Sequence, residues 1–202
     1  MPNFTDITGL AAVAAVTALS LMSLPGISRL SNRSAIWLSA GLFALMLIPF
    51  GALPLAGYVR GVTGDFSVTT LLILVGGCAT QKFRHGMEIC EPTRTTWILL
   101  AVVALAFYPM VLGLSRFDPY QLGYGNAAFI VMLLLLAILA WLTKNDLIAM
   151  CISLALMAWT VGWYESDNLW DYLLDPFISV YALVALFLDA IKSSFGNSTE
   201  AA

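Results

Sequence analysis

Residues 126–143 read NAAFIVMLLLLAILAWLT, an unbroken run without one charged side chain. An α-helix needs roughly 20 such residues to cross a bilayer, and barrel strands alternate between two faces instead of staying apolar throughout. The run therefore reads as a membrane helix. Working outward from it, six further apolar segments appear. Ile7–Ile27, Ser34–Val59, Phe66–Thr80 and Thr96–Ser115 precede it, and Leu147–Tyr164 and Tyr172–Ile191 follow. Seven helices of this size use about 140 residues, most of the 202 available. The expected architecture is all-α: a polytopic helical membrane protein of about seven transmembrane helices. A single domain occupies residues 1–192, and a flexible cytoplasmic tail occupies 193–202.

Composition supports the same class. The chain is 60% hydrophobic and only 10% charged, against about a quarter charged in ordinary soluble domains. Its mean hydropathy is +0.90. These values exclude a soluble enzyme, a nucleic-acid-binding domain and a disordered chain.

Basic residues set the orientation, because cytoplasmic loops carry an excess of them. One set of alternate connections holds Arg29, Arg33, Lys82, Arg84, Arg94, Lys144 and Lys192, and the other holds only Arg60 and Arg116. The expected topology places the N-terminus outside and the C-terminus in the cytoplasm, in a bacterial cytoplasmic (inner) membrane. Trp37, Trp97 and Trp141 fall at the inner interface. Tyr58, Tyr120, Tyr124, Trp163, Tyr164, Trp170 and Tyr172 gather at the outer one, where amphipathic rings prefer to sit. The opening MPNFTDITG carries no basic residue, unlike the start of a secretory signal, so a retained first helix is expected.

Two features bear on packing. Ala11 with Ala15, and Ala14 with Ala18, give the first segment small faces that permit close helix approach. Pro49, Pro54, Pro109 and Pro176 all fall in outer halves, where kinks are expected.

The outer loops carry the candidate chemistry. Seven of the twelve carboxylates lie on that side, Asp6, Asp65, Asp118, Glu165, Asp167, Asp171 and Asp175, against Arg60 and Arg116. The first reading is structural. Arg60 pairs with Asp65, and Arg116 pairs with Asp118 or a later carboxylate. Asp65 and Asp167 cap helices, with Asp171 in a first turn. A second reading makes Asp171 and Asp175, four apart and so on one helical face, a site for a cation or cationic group. A third has Arg60 and Arg116 holding a lipid phosphate, Asp118, Glu165 or Asp171 acting as base, and Tyr120 and Tyr124 lining the pocket.

Other chemistry finds less footing. Cys78, Cys90 and Cys151 form no CxxC pair, and His85 is the only histidine, so no metal centre and no cofactor is expected. Only Asp175 and Asp189 enter a proposed span, both near its ends, with Lys192 a natural partner for Asp189. A proton relay or ion path usually shows midplane charge, and a retinal protein needs a mid-membrane lysine in its last helix.

The functional expectation is an integral accessory or assembly subunit, not an enzyme. It packs against a larger membrane complex through its helices and its acidic, aromatic outer cap, where Trp170 and its apolar neighbours can anchor a partner. Membrane lipids, bound lipid included, and other membrane subunits are the expected partners, and nucleic acid is not. The alternative is a membrane-embedded enzyme or carrier that handles a lipid headgroup, a lipid-linked substrate or a cation at the outer face.

Overall fold

The computed structural model describes residues 4–22, 24, 30–82 and 92–199. Helices dominate: α1 (Phe4–Met22), α2 (Asn32–Leu47), α3 (Leu55–Thr63), α4 (Val68–Lys82), α5 (Arg94–Pro109), α6 (Ala127–Leu142), α7 (Asp146–Thr160), α8 (Leu169–Leu173) and α9 (Pro176–Thr199). Two-residue strands β1 (Pro49–Phe50) and β2 (Leu53–Pro54) pair antiparallel between α2 and α3. A π turn over Met110–Leu114 prolongs α5, and a 3-10 turn spans Pro119–Gly123.

Local chemistry explains the helix starts. Ser31, Thr93 and Asn126 each accept a hydrogen bond from a backbone N–H three residues on, capping α2, α5 and α6. The second apolar segment does not form one helix. Pro49 and Pro54 lack the amide hydrogen that a helix interior requires, and the chain turns through the β1–β2 hairpin before α3 begins. There the Tyr58 hydroxyl donates to the Phe50 carbonyl at 2.9 Å. Pro109 by contrast is tolerated, because the backbone loosens into the π turn that follows it.

Among the described residues, three helices are long and apolar enough to cross a membrane: Thr5–Met22, Arg94–Leu114 and Pro176–Ser193. Leu55–Thr63 and Val68–Gly76, bent by 118°, together meet the same test, as a broken span or a re-entrant loop. Arg33–Leu47, Ala127–Leu142 and Asp146–Thr160 are apolar but shorter. The exterior is itself apolar. Val102, Leu105, Leu135, Leu139, Val180 and Phe187 are all exposed, a surface suited to oil and costly in water.

The helices pack in three groups. α6 and α7 form a hairpin joined by residues 143–145 and close over α8, with Phe129, Leu133, Ile152, Ala155 and Leu169 in the core. α5 lies along α9, with Ala104, Phe107, Leu147, Leu174 and Ile178 buried between them, α4 and α7. α1 packs against α2, α3 and α4, burying Val13, Ala14 and Val16. The Ala14/Ala18 face is buried as expected, and the Ala11/Ala15 face is half-buried. With 44% of its span buried, against 17% in each of the other two, α1 is the inner helix of the three.

At the end opposite the cap, Asp189 pairs with Arg94 of α5 at 3.4 Å, not with Lys192 as its spacing suggested. α9 continues past Lys192 to Thr199, into the segment read as a tail. Arg29, Arg84, His85 and Cys90 lie outside the described residues, as do the side chains of Cys78 and Lys82. Cys151 is a buried free thiol.

Candidate functional site

Three groups of polar side chains lace the loops that were read as the outer cap. The first is built on Arg60, on the last turn of α3. Its Nε and Nη2 donate to the two Asp65 carboxylate oxygens at 2.6 and 2.9 Å. Nη1 lies 3.6 Å from Asp6, and Nη2 lies 3.6 Å from Glu165. One guanidinium thus gathers carboxylates from α1, the α3–α4 turn and the α7–α8 loop. Gly9 of α1 makes room for it, since a Cβ there would meet the guanidinium carbon at 2.7 Å. The Glu165 carboxyl is raised above its ordinary range, first by its hydrogen bond with Asp6 and against the lowering charge of Arg60. The Arg60–Asp65 pair is the one the spacing anticipated. Asp65 does not cap α4, because the fork holds both its oxygens. Ser67 takes that role, accepting from the Thr70 N–H at 3.2 Å.

The second group centres on Asp175, which is 4% exposed. One carboxylate oxygen accepts from the Ser67 N–H at 2.9 Å, the Ser67 hydroxyl at 2.8 Å and the Thr70 hydroxyl at 2.5 Å. The other accepts from the Ile178 N–H at 2.9 Å, making Asp175 the cap of α9. The reading that put Asp171 and Asp175 on one helical face fails. α8 ends at Leu173, and Leu174 is extended (φ −145°, ψ 133°). Pro176, which cannot donate within a helix interior, sits instead at the first position of α9.

The third group surrounds Asp171. It accepts from the Tyr120 hydroxyl at 3.0 and 3.2 Å and from the Ser166 hydroxyl at 2.5 Å. Burial first, and then the Asp171 charge, raise the Tyr120 phenol above its ordinary value, so Tyr120 is a donor here at neutral pH. Asn168, and not Asp167, caps α8. Its side-chain amide also donates to the Tyr120 carbonyl at 2.9 Å. Asp167 is exposed, and its backbone carbonyl accepts from the Trp159 indole. Asp118 turns to the Tyr120 N–H at 2.9 Å instead of to Arg116, which is exposed.

Trp170 belongs to the interior of this cap. Its ring lies 4.3 Å from Phe107 and 4.9 Å from Phe129, centroid to centroid, and its indole N–H donates to the Pro119 carbonyl. Tyr58, Phe117, Tyr124 and Trp163 are among the cap aromatics left exposed. The cap closes onto α1 as well, through a hydrogen bond from the Thr8 hydroxyl to the Trp163 carbonyl.

Asn168 crosses very close to the 3-10 turn. A Cβ on Gly123 would fall 1.7 Å from Asn168 Oδ1 and 2.9 Å from the Trp170 ring. Gly123→Ala is therefore expected to destabilise the protein by about 2–3 kcal/mol through overpacking. Thermal unfolding in neutral detergent should show it, and a midpoint equal to wild type would mean this approach is wrong.

Asp65, Asp171 and Asp175, one carboxylate from each group, line one cavity of about 310 Å3 together with Phe107, Tyr108 and Tyr164. Sequence reasoning placed Tyr164 in an interfacial belt. It is 2% exposed, stacks on Tyr172 at 5.1 Å, and its hydroxyl has no hydrogen-bond partner among the described residues. Among the described residues, no group of three His, Cys, Asp or Glu side chains is placed to hold a metal ion.

No family model matches this sequence, and neither a curated protein nor a solved structure matches it. The functional reading therefore rests on the chain's own geometry.

Proposed function

We propose that the chain is an integral membrane subunit that packs sideways against a larger membrane assembly. It crosses the bilayer seven times with its N-terminus outside, in a bacterial cytoplasmic membrane, and carries no catalytic centre. The observation that carries this reading is the flank formed by α2 and the β1–β2 hairpin. α2 is held from one side, by α1 and α3. Its 16 residues span about 24 Å at 1.5 Å each, short of the roughly 30 Å hydrocarbon core. The hairpin that follows then begins at membrane depth. Lipid-exposed non-helical backbone is not tolerated there and needs cover from protein. Trp37, 77% exposed, and Phe50, 70% exposed, stand on this flank. Between them Ala40, Gly41 and Ala44 are exposed, with nothing within 4 Å of a Cβ on Gly41. Small residues let a neighbouring helix approach closely.

The lipid-phosphate reading has less support. Arg60 gives its fork to Asp65 and has Asp6 and Glu165 beside it, so it has little left to offer a phosphate.

Single cysteines in a background without the native three provide the test. Tyr124→Cys should react with an impermeant maleimide added outside intact cells, and a cysteine replacing Lys144 only after permeabilisation. A photocrosslinker at Trp37 should then capture one defined membrane protein in stoichiometric yield, whereas one at Leu135 captures lipid. Labelling of both cysteines from one side would overturn the topology. Lipid adducts alone at Trp37 would overturn the subunit reading.

A further inference from the structure

We propose that the cavity between the start of α5 and the last turns of the α9 span holds the phosphate of an anionic glycerophospholipid. The inference rests on the reading that α5 and α9 cross a bilayer, and not on the number of crossings or on a partner assembly. The two helices lie side by side and antiparallel. Arg94 meets Asp189, and Trp97, one turn on along α5, meets Tyr181 with ring centroids 5.2 Å apart. Both helices are long and apolar enough to span, and Arg94 opens the first span while Lys192 stands beside the last residue of the second, Ser193. The cavity between them therefore lies where hydrocarbon gives way to headgroups. It measures about 360 Å3, a size at which ligands are held. Arg94, Trp97, Ala185, Leu188, Asp189 and Lys192 are in its lining.

The first observation is charge. The lining holds two cations against one carboxylate. Asp189 takes only the Nε of Arg94, at 3.4 Å, with both side chains exposed. Among the described residues the Nη groups of Arg94 have no ion-pair partner, and neither has the Lys192 ammonium. A guanidinium fork suits the paired oxygens of a phosphate, and an ammonium adds a point charge. The N-terminus of α5, a helix of 16 residues, brings its positive dipole end to the same side. Basic pockets between membrane helices are places where acidic headgroups bind.

The second observation is the face that leads away from the cations. Tyr181, Ala185, Leu188 and Lys192 follow one another at helical spacing, so they form one stripe along α9. The stripe runs about 16 Å into the apolar part of the helix. Tyr181 and Leu188 are exposed, and Ala185 is a half-buried dip between them. Trp97 borders the stripe from α5, against Tyr181. A cationic rim above an apolar, aromatic track suits a phosphate that carries acyl chains. The free anion gains nothing from the track. A choline headgroup fits less well, because its own ammonium would meet Arg94 and Lys192.

The test uses the full chain in dodecyl maltoside, with phosphatidylglycerol as the probe and native mass spectrometry as the readout. Saturable uptake is expected. Lys192→Gln and Arg94→Gln should each weaken it about fivefold, the worth of one cation near a headgroup. Both residues are exposed, so these variants should keep the wild-type melting point. Asp189→Asn removes the opposing charge and should tighten binding by about the same factor. Lys144→Gln alters a cation outside the cavity and should bind like wild type. Phosphatidylcholine should bind at least about fivefold more weakly, and excess inorganic phosphate should not displace the probe. Absence of saturation, equal affinity in Lys144→Gln and Lys192→Gln, weaker binding in Asp189→Asn, or equal binding of the choline lipid would each overturn the proposal. Displacement by inorganic phosphate would overturn the lipid as occupant and assign the free anion. Release of the chain from membranes by alkaline carbonate would overturn the crossing on which the site rests, whereas retention without lipid preference overturns the site alone.

Discussion

Replacing Asp175 with alanine is expected to cost about 3–5 kcal/mol of stability, the largest effect of any change considered. Four donors converge on this carboxylate: two N–H groups and two hydroxyls. All come from residues that are themselves buried. Truncation leaves all four without their acceptor at the junction of α4 and α9. Asp175→Asn keeps the volume but turns an N–H2 toward either the Ile178 N–H, which can only donate, or the hydroxyls, which must then reverse to accept, so it should fall between alanine and wild type. Chemical denaturation in neutral micelles measures both. A loss under about 1 kcal/mol for the alanine variant would show that the four bonds are not made together.

Arg60→Ala should cost about 2–4 kcal/mol, by leaving Asp65 uncompensated in a half-buried setting beside two further carboxylates. Its own side chain is 15% exposed, that of Asp65 18%, and that of Glu165 57%. Most of the effect should therefore come from the Asp65 arm, since exposed pairs contribute only about 0–1 kcal/mol. Arg60→Lys keeps the charge and loses the two-pronged geometry, so it should recover less than half of the loss. A double-mutant cycle between Arg60→Ala and Asp65→Ala isolates the pair, with an expected coupling of about 1–3 kcal/mol. Coupling near zero would reduce the clasp to a surface decoration. Protease sensitivity of the loop around Glu165 should rise in step, because that loop is tied to α1 and α3 through the same guanidinium.

The sequence conveyed the helices well and the joints poorly. The apolar run 126–143 reads as a helix and forms α6, although α6 is shorter than the three helices long enough to cross a membrane. The Arg60–Asp65 pair was legible too, since five residues separate the only local cation from its anion. The hairpin between α2 and α3 was not. Two prolines five apart signal a break, but whether it becomes a kink or a reversal depends on how α1 and α3 pack. Asp171 and Asp175 misled through their spacing: i to i+4 means one face only if the helix is continuous, and Leu174 breaks it. Asn168 carried a usable signal, a capping residue type directly before the first apolar residue of α8, overlooked in favour of the acid beside it. Tyr164 carried none. An aromatic at a loop–membrane boundary reads as a headgroup anchor, and only the fold turns it inward onto Tyr172.

The four-donor junction also bears on how the chain is made. Ser67 caps α4, yet the acceptor for its N–H and hydroxyl is synthesised 108 residues later. Until the last helix is translated, the front turn of α4 waits without its anion, and an intermediate lacking α9 has a seam that lipid cannot close. Biogenesis then has a built-in checkpoint. Chains released before Asp175 should be recognised by cellular proteases as unfinished, while arrival of the final helix locks the early half in place.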